Sequence, residues 1–128
     1  MARVLVIDDD AVTRTVIQAV LETAGHTVGE AADGRAGLAA YSLNPPDLVI
    51  TDILMPGMDG IETIRQLRAI NPAVKIIALS GDVRLDGPSI LNAAHLLGAT
   101  EILEKPFRND ALVKLVDDVL TRSACRLS

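Results

Sequence analysis

Five times along the chain a short apolar run gives way to a longer amphipathic stretch, and this alternation limits the possible folds more than any other feature of the sequence. Strands separated by helices cannot pair as hairpins. They need crossover connections, which build a parallel sheet covered by helices on both faces. The candidate strands are 4–7 (VLVI), 27–31 (TVGEA), 47–51 (DLVIT), 75–80 (KIIALS) and 101–103 (EIL). The first, third and fourth are continuously apolar, as strands buried on both faces must be, and the second and fifth are weaker and suit the edges.

The intervening stretches read as helices. Val12, Val16, Ile17, Val20, Leu21 and Ala24 recur at helical spacing, and Gly25 follows where a left-handed cap is wanted. A second helix over 35–43 is closed by Pro45 and Pro46. Asp59 and Glu62 form a capping box for a third, with Ile61, Ile64 and Leu67 facing inward and Asn71-Pro72 as its stop. A fourth is expected over 88–98, opened by Pro88 and ended by Gly98, and a fifth over 109–122, with Leu112, Leu115, Val116, Val119 and Leu120 as its apolar stripe. The 128 residues are thus accounted for as one (βα)5 layer sandwich of the α/β class, a single domain over 1–128 with no output domain.

Composition removes several classes of function. With one Phe, one Tyr and no Trp the core is aliphatic, and a net charge of -5 opposes binding to a phosphate backbone, so no nucleic-acid partner is expected. No apolar run nears the roughly 20 residues of a membrane helix, so no membrane insertion is expected. The single Cys125 has no disulfide partner and no metal-spaced neighbour, which fits an ordinary tail thiol and a cytoplasmic location. His26 and His95 likewise have no metal-spaced partner and read as structural.

In an open parallel sheet, sites form where loops diverge at the carboxyl ends of the central strands. Asp8, Asp9 and Asp10 follow the first strand, Asp52 the third, Ser80 ends the fourth, and Glu104, Lys105 and Pro106 follow the fifth. Bringing Asp8, Asp9 and Asp52 together costs on the order of 1–4 kcal/mol for each pair at 4 Å, so something positive must sit among them. Mg2+ fits best, since it takes one or two carboxylates, keeps several waters and leaves room for a phosphoryl oxygen. Lys105 supplies a second positive charge and Ser80 a hydroxyl donor. Acids, a metal, a lysine and a hydroxyl are what phosphoryl transfer needs, because its transition state is stabilised mainly by charge and positioning. Asp10 reads as a helix cap.

Taken in order, VLVIDDD, DLVITDILMPGMDG, KIIALSG and EILEKPF resemble the strand-end motifs of the response-regulator receiver domain of two-component signalling, CheY-like, over nearly the whole chain. The resemblance implies a flavodoxin-like fold with strand order 2-1-3-4-5. It implies Asp52 as phosphoacceptor, Asp8 and Asp9 as metal-binding acids, the backbone carbonyl of Leu54 as a further metal ligand, Ser80 as switch hydroxyl and Lys105 as the phosphate-contacting lysine. Lys105-Pro106 would be a cis peptide. The implied protein is a stand-alone response regulator, not an enzyme, that phosphorylates and dephosphorylates itself. Its implied partners are a sensor histidine kinase or a histidine phosphotransfer protein, docking over the first helix and the Asp52 and Pro106 loops, and a downstream protein target. The same parts would serve a phosphorelay intermediate.

The sequence departs from the family pattern in places. Ser80 stands where Thr is frequent, and Ile102 stands three residues before the lysine where an aromatic ring is frequent, so a swinging ring is absent. The stretch GDVRLDGPS is longer than expected and has the composition of a mobile loop, while Leu54 and Asp82 occupy positions that in this family affect the phosphoryl lifetime. Met55 and Met58 flank Pro56 and suit packing or a partner contact.

Two other classes share part of this pattern. VIDDDAV also matches the nucleophile loop of haloacid-dehalogenase-like phosphatases, with Asp8 attacking and Asp10 as acid/base; that reading leaves Asp52 without a role and finds its later acids only at Asp110, Asp117 and Asp118 in the last helix. A binding module that keeps the fold without phosphorylation usually lacks an acid or the lysine, and here none is missing.

Overall fold

The computed structural model describes residues 2–53, 60–80, 100–105 and 107–126. Along the chain run β1 (Arg3–Ile7), α1 (Ala11–Thr23), β2 (Thr27–Ala31), α2 (Gly34–Leu43), β3 (Leu48–Asp52), α3 (Gly60–Ile70), β4 (Ile76–Ser80), β5 (Glu101–Glu104) and α4 (Asn109–Arg126). The helix expected over 88–98, with His95, lies outside the described residues, as do Asp59, Met55, Met58, Asp82 and the 81–89 stretch.

The five strands form one parallel sheet in the order β2-β1-β3-β4-β5. From β1 the chain steps outward to β2, then reverses and winds past β1 to β3, β4 and β5. Right-handed crossovers running in opposite directions must lie on opposite faces. Accordingly Ile17 and Leu21 of α1 share a core with Leu112, Val116 and Val119 of α4, while Tyr41 of α2 shares the other with Ile64 and Leu67 of α3. The strands feed both cores by alternation: Val4 and Val6 point to one, Leu5 and Ile7 to the other.

Local chemistry sets the helix ends. Asp10 caps α1, its carboxylate accepting from the Val12 N–H at 3.1 Å and the Thr13 hydroxyl at 2.8 Å, and these bonds, the Thr13 one first, lower its pKa. Asp33 caps α2 by accepting from Ala36 N at 2.8 Å. Gly25 takes φ 100 just past α1, a backbone region closed to most side chains. The apolar spacing of α1 misleads in one respect: Val12 and Val16 are 70% and 40% exposed, and Ile17 and Leu21 alone are buried. Their Cα positions fall on the helical period, but the sheet covers only the stripe through residues 17 and 21.

Candidate functional site

The winding reverses between β1 and β3, and at such a reversal the flanking connections diverge to opposite faces and leave a crevice at the carboxyl ends of the two strands. Ile7 pairs with Thr51, which sets Asp8 beside Asp52, and Asp52 pairs in turn with Leu79. Asp52 is the last residue of β3 and not the first of the loop, so its carboxylate stands on the sheet itself.

Asp8 is fully buried and Asp52 nearly so, whereas Asp9 is exposed. One carboxylate oxygen from each lies within 4.8 Å of the other two. The Lys105 ammonium reaches across the sheet to Asp8 Oδ2 at 2.9 Å and Asp52 Oδ2 at 3.2 Å. Partial burial works against its charge, but the hydrogen bond to Asp8 and the charges of Asp52 and Asp8 outweigh that, and its pKa is raised above the ordinary 10.5. Three carboxylates around one ammonium leave a surplus of two negative charges, and their oxygens are hard donors at a spacing one small ion could span. The group fits a divalent cation.

Backbone contacts hold these side chains in place. The Asp8 N–H donates to Ala31 O at 3.1 Å, and Asp8 Oδ1 accepts from the Asp10 N–H at 2.9 Å. Behind Asp52, Gly60 N donates to Ile53 O at 2.8 Å, and a Cβ on Gly60 would run into the Asp52 carbonyl oxygen and Ile53 Cα. Only glycine lets the returning chain pass there.

Among the expected site residues, Asp8, Asp9, Asp52 and Lys105 come together in one cluster. Ser80 closes β4 one step beyond Leu79, the partner of Asp52, and pairs with Glu104, next to Lys105; its side chain is not among those described. Leu54 and Pro106 lie outside the described residues. Two of the residues expected to stand outside the site are engaged elsewhere: Asp10 caps its helix, and His26, nearly buried, accepts from Ala2 N at 3.2 Å and sits 3.5 Å from Asp117 of α4. Arg14 escaped the sequence reading; its guanidinium donates to the Asp8 carbonyl, and no spacing motif could have flagged a lone arginine on a helix.

A doubly wound parallel domain with an acid cluster and a lysine at its switch point defines a phosphoryl-transfer class of α/β protein. Comparison with known proteins narrows this: residues 4–117 match the family described as the response regulator receiver domain. The chain is 35% identical over 118 residues to the chemotaxis protein CheY of Thermotoga maritima, covering 91% of this chain and 96% of that one. It is also 35% identical to the DNA-binding transcriptional regulator NtrC of Salmonella typhimurium, of which it spans 24%. Among solved structures, CheY4 of Vibrio cholerae superposes with a TM-score of 0.86 at 33% identity over 93% of this chain and 98% of that one. The chain belongs to the response regulator receiver family, and its fold is the CheY-like flavodoxin fold. Among the described residues no helix is long and apolar enough to cross a membrane.

Proposed function

We propose that Asp52 accepts a phosphoryl group from a histidine on a partner kinase or histidine phosphotransfer protein, with Mg2+ held by Asp8, Asp9, Asp52 and the Leu54 carbonyl. The observation that carries the reading is the Lys105 ammonium poised between Asp8 and Asp52, with the Asp9 carboxylate alongside. A carboxylate oxygen of Asp52 attacks phosphorus, the O–P bond forms as the P–N bond breaks, and the electron pair returns to the imidazole nitrogen. Lys105 moves from the carboxylates to a phosphoryl oxygen, and the Ser80 hydroxyl serves as a second donor. When bound, the cation neutralises charge developing on the transferred group. Attack by water on the O–P bond releases inorganic phosphate and returns Asp52 to its resting state, so the chain catalyses its own turnover.

The partner docks over the amino-terminal part of α1, where the cap Asp10 adjoins the acid cluster and Val12 and Val16 stand exposed. Two valines one turn apart beside a charged crevice form an apolar rim suited to a helical partner. The phosphatase reading loses support because Asp10, its acid/base, is committed to the α1 cap. A relay role uses the same chemistry in reverse, with Asp52 passing its group to a second histidine.

Incubation with Mg2+ and acetyl phosphate, followed by intact mass, tests the assignment. One added phosphoryl group is expected, blocked by EDTA and absent in Asp52→Asn. A gain that persists in Asp52→Asn, or steady release of phosphate from generic monoesters that depends on Asp8 and not on Asp52, overturns it.

A further inference from the structure

Arg14 sits one turn into α1 with only 18% of its side chain exposed, although nothing in the phosphoryl-transfer reading uses it. Its Nη1 donates to the backbone carbonyl of Asp8 at 2.6 Å, and its Nε donates to the Glu30 carboxylate at 3.1 Å. Glu30 lies in β2 next to Ala31, whose own carbonyl receives the Asp8 N–H. Asp8 is therefore held at its N–H by Ala31, at its carboxylate by the Asp10 N–H and at its carbonyl by Arg14.

That last bond reaches beyond Asp8. The carbonyl belongs to the peptide joining Asp8 to Asp9, and a peptide is planar, so fixing its oxygen fixes the direction in which Asp9 leaves the strand. Asp9 is the exposed member of the acid cluster, and Lys105 bonds to Asp8 and Asp52 in its stead. Without side-chain burial to orient it, Asp9 depends on its backbone. A guanidinium can hold a carbonyl and a carboxylate at once through its rigid fork, and bonds from a charged donor are among the stronger ones. An ammonium at the end of a lysine stem has all its donors on one nitrogen, so it does not reproduce the separate Nε and Nη1 positions from which Arg14 reaches Glu30 and Asp8.

We propose that Arg14, itself oriented by Glu30, is a positioning residue that sets the Asp8–Asp9 pair for the divalent cation; the role rests on the metal reading of those acids given above. Charge alone predicts the opposite effect, because a nearby cation repels Mg2+ and its removal would tighten binding. The sign of the change therefore separates the two roles.

The experiment is calorimetric titration of the whole chain with Mg2+, with urea denaturation in the presence and absence of the ion. Wild type, Arg14→Met, Arg14→Lys and Glu30→Gln are compared. Arg14→Met is expected to weaken Mg2+ binding about tenfold, the loss typical of a removed partner behind a metal ligand. Arg14→Lys should weaken it comparably despite keeping the charge, and Glu30→Gln less. Tighter binding in Arg14→Met with wild-type binding in Arg14→Lys overturns the proposal, as does unchanged affinity with equal loss of stability in both buffers. If Arg14→Met does not fold, the other two variants decide. A wild type that binds no Mg2+ overturns the metal reading and this inference together, whereas a binding wild type with unaffected variants overturns this inference alone.

Discussion

Asp9 and Lys105 show how single side chains in this crevice act in opposite senses. Asp9 is exposed beside two other carboxylates, and Lys105 bonds to those two, so without a cation Asp9 adds mainly repulsion. Asp9→Ala is expected to raise stability in metal-free buffer by a few tenths to about 1 kcal/mol and to abolish the stabilisation that Mg2+ confers on wild type. Urea melts with and without the ion check both halves, and equal destabilisation in the two buffers would make Asp9 a structural group instead. Lys105 has a raised pKa, so its contribution is complete below 10.5 and is lost as pH rises through the higher folded value. The stability gap between wild type and Lys105→Met in metal-free buffer should therefore be level from neutral pH up to about that value and narrow above it. A gap that instead narrows on acidification from neutral pH would place the dominant titration on the carboxylates.

At the scale of elements, two glycines show what close packing demands. A Cβ on Gly37 in α2 would press into the buried side chain of Ile7, whereas a Cβ on Gly60 at the start of α3 would strike the backbone of Asp52 and Ile53. A side chain can turn aside, and a backbone cannot. Gly37→Ala gains about 1 kcal/mol of helix propensity against an overpacking cost of about 1–3 kcal/mol, leaving a net loss between zero and about 2 kcal/mol. Gly60→Ala should cost more and should also reduce phosphoryl uptake, because the displaced backbone carries Asp52. Denaturation with intact-mass labelling of both variants tests the ranking. Asp33→Ala, which removes the α2 cap and no member of the acid cluster, should cost about 1 kcal/mol and leave uptake unchanged.

At the scale of the whole molecule, the described residues form two cores that share one sheet, with β1, β3 and β4 contributing alternate residues to each. Neither core can dissolve without exposing the back of strands the other needs. Leu67→Ala on one side and Leu112→Ala on the other should each cost about 2–5 kcal/mol, and in both variants the near-ultraviolet signal of Tyr41 and the far-ultraviolet signal should fall together. A Tyr41 transition that separates from backbone unfolding in Leu67→Ala would mean the two halves melt independently. The same sharing gives bound Mg2+ a global reach: at a hundredfold excess over its Kd the ion should add about 2.7 kcal/mol to the entire fold.

The strands, their parallel pairing and the clustering of Asp8, Asp9, Asp52 and Lys105 were legible in the sequence, because burial on two faces forces unbroken apolar runs and strand ends announce themselves by the abrupt change to charge. β3 runs one residue further than its apolar run suggests, since Asp52 is polar yet still belongs to the sheet ladder. Val12 and Val16 keep the helical spacing of α1 yet stand exposed, since periodicity shows that a helix has an apolar face and not how wide a stripe its neighbour covers. Tertiary structure alone decided that Lys105 divides its bonds between Asp8 and Asp52, that Gly60 passes against the Asp52 carbonyl, and that Arg14 grips the Asp8 peptide. These contacts join residues distant in the chain or bond a side chain to a backbone atom. They depend on where the sheet register and the crossing helices bring atoms together, and periodicity carries no record of that.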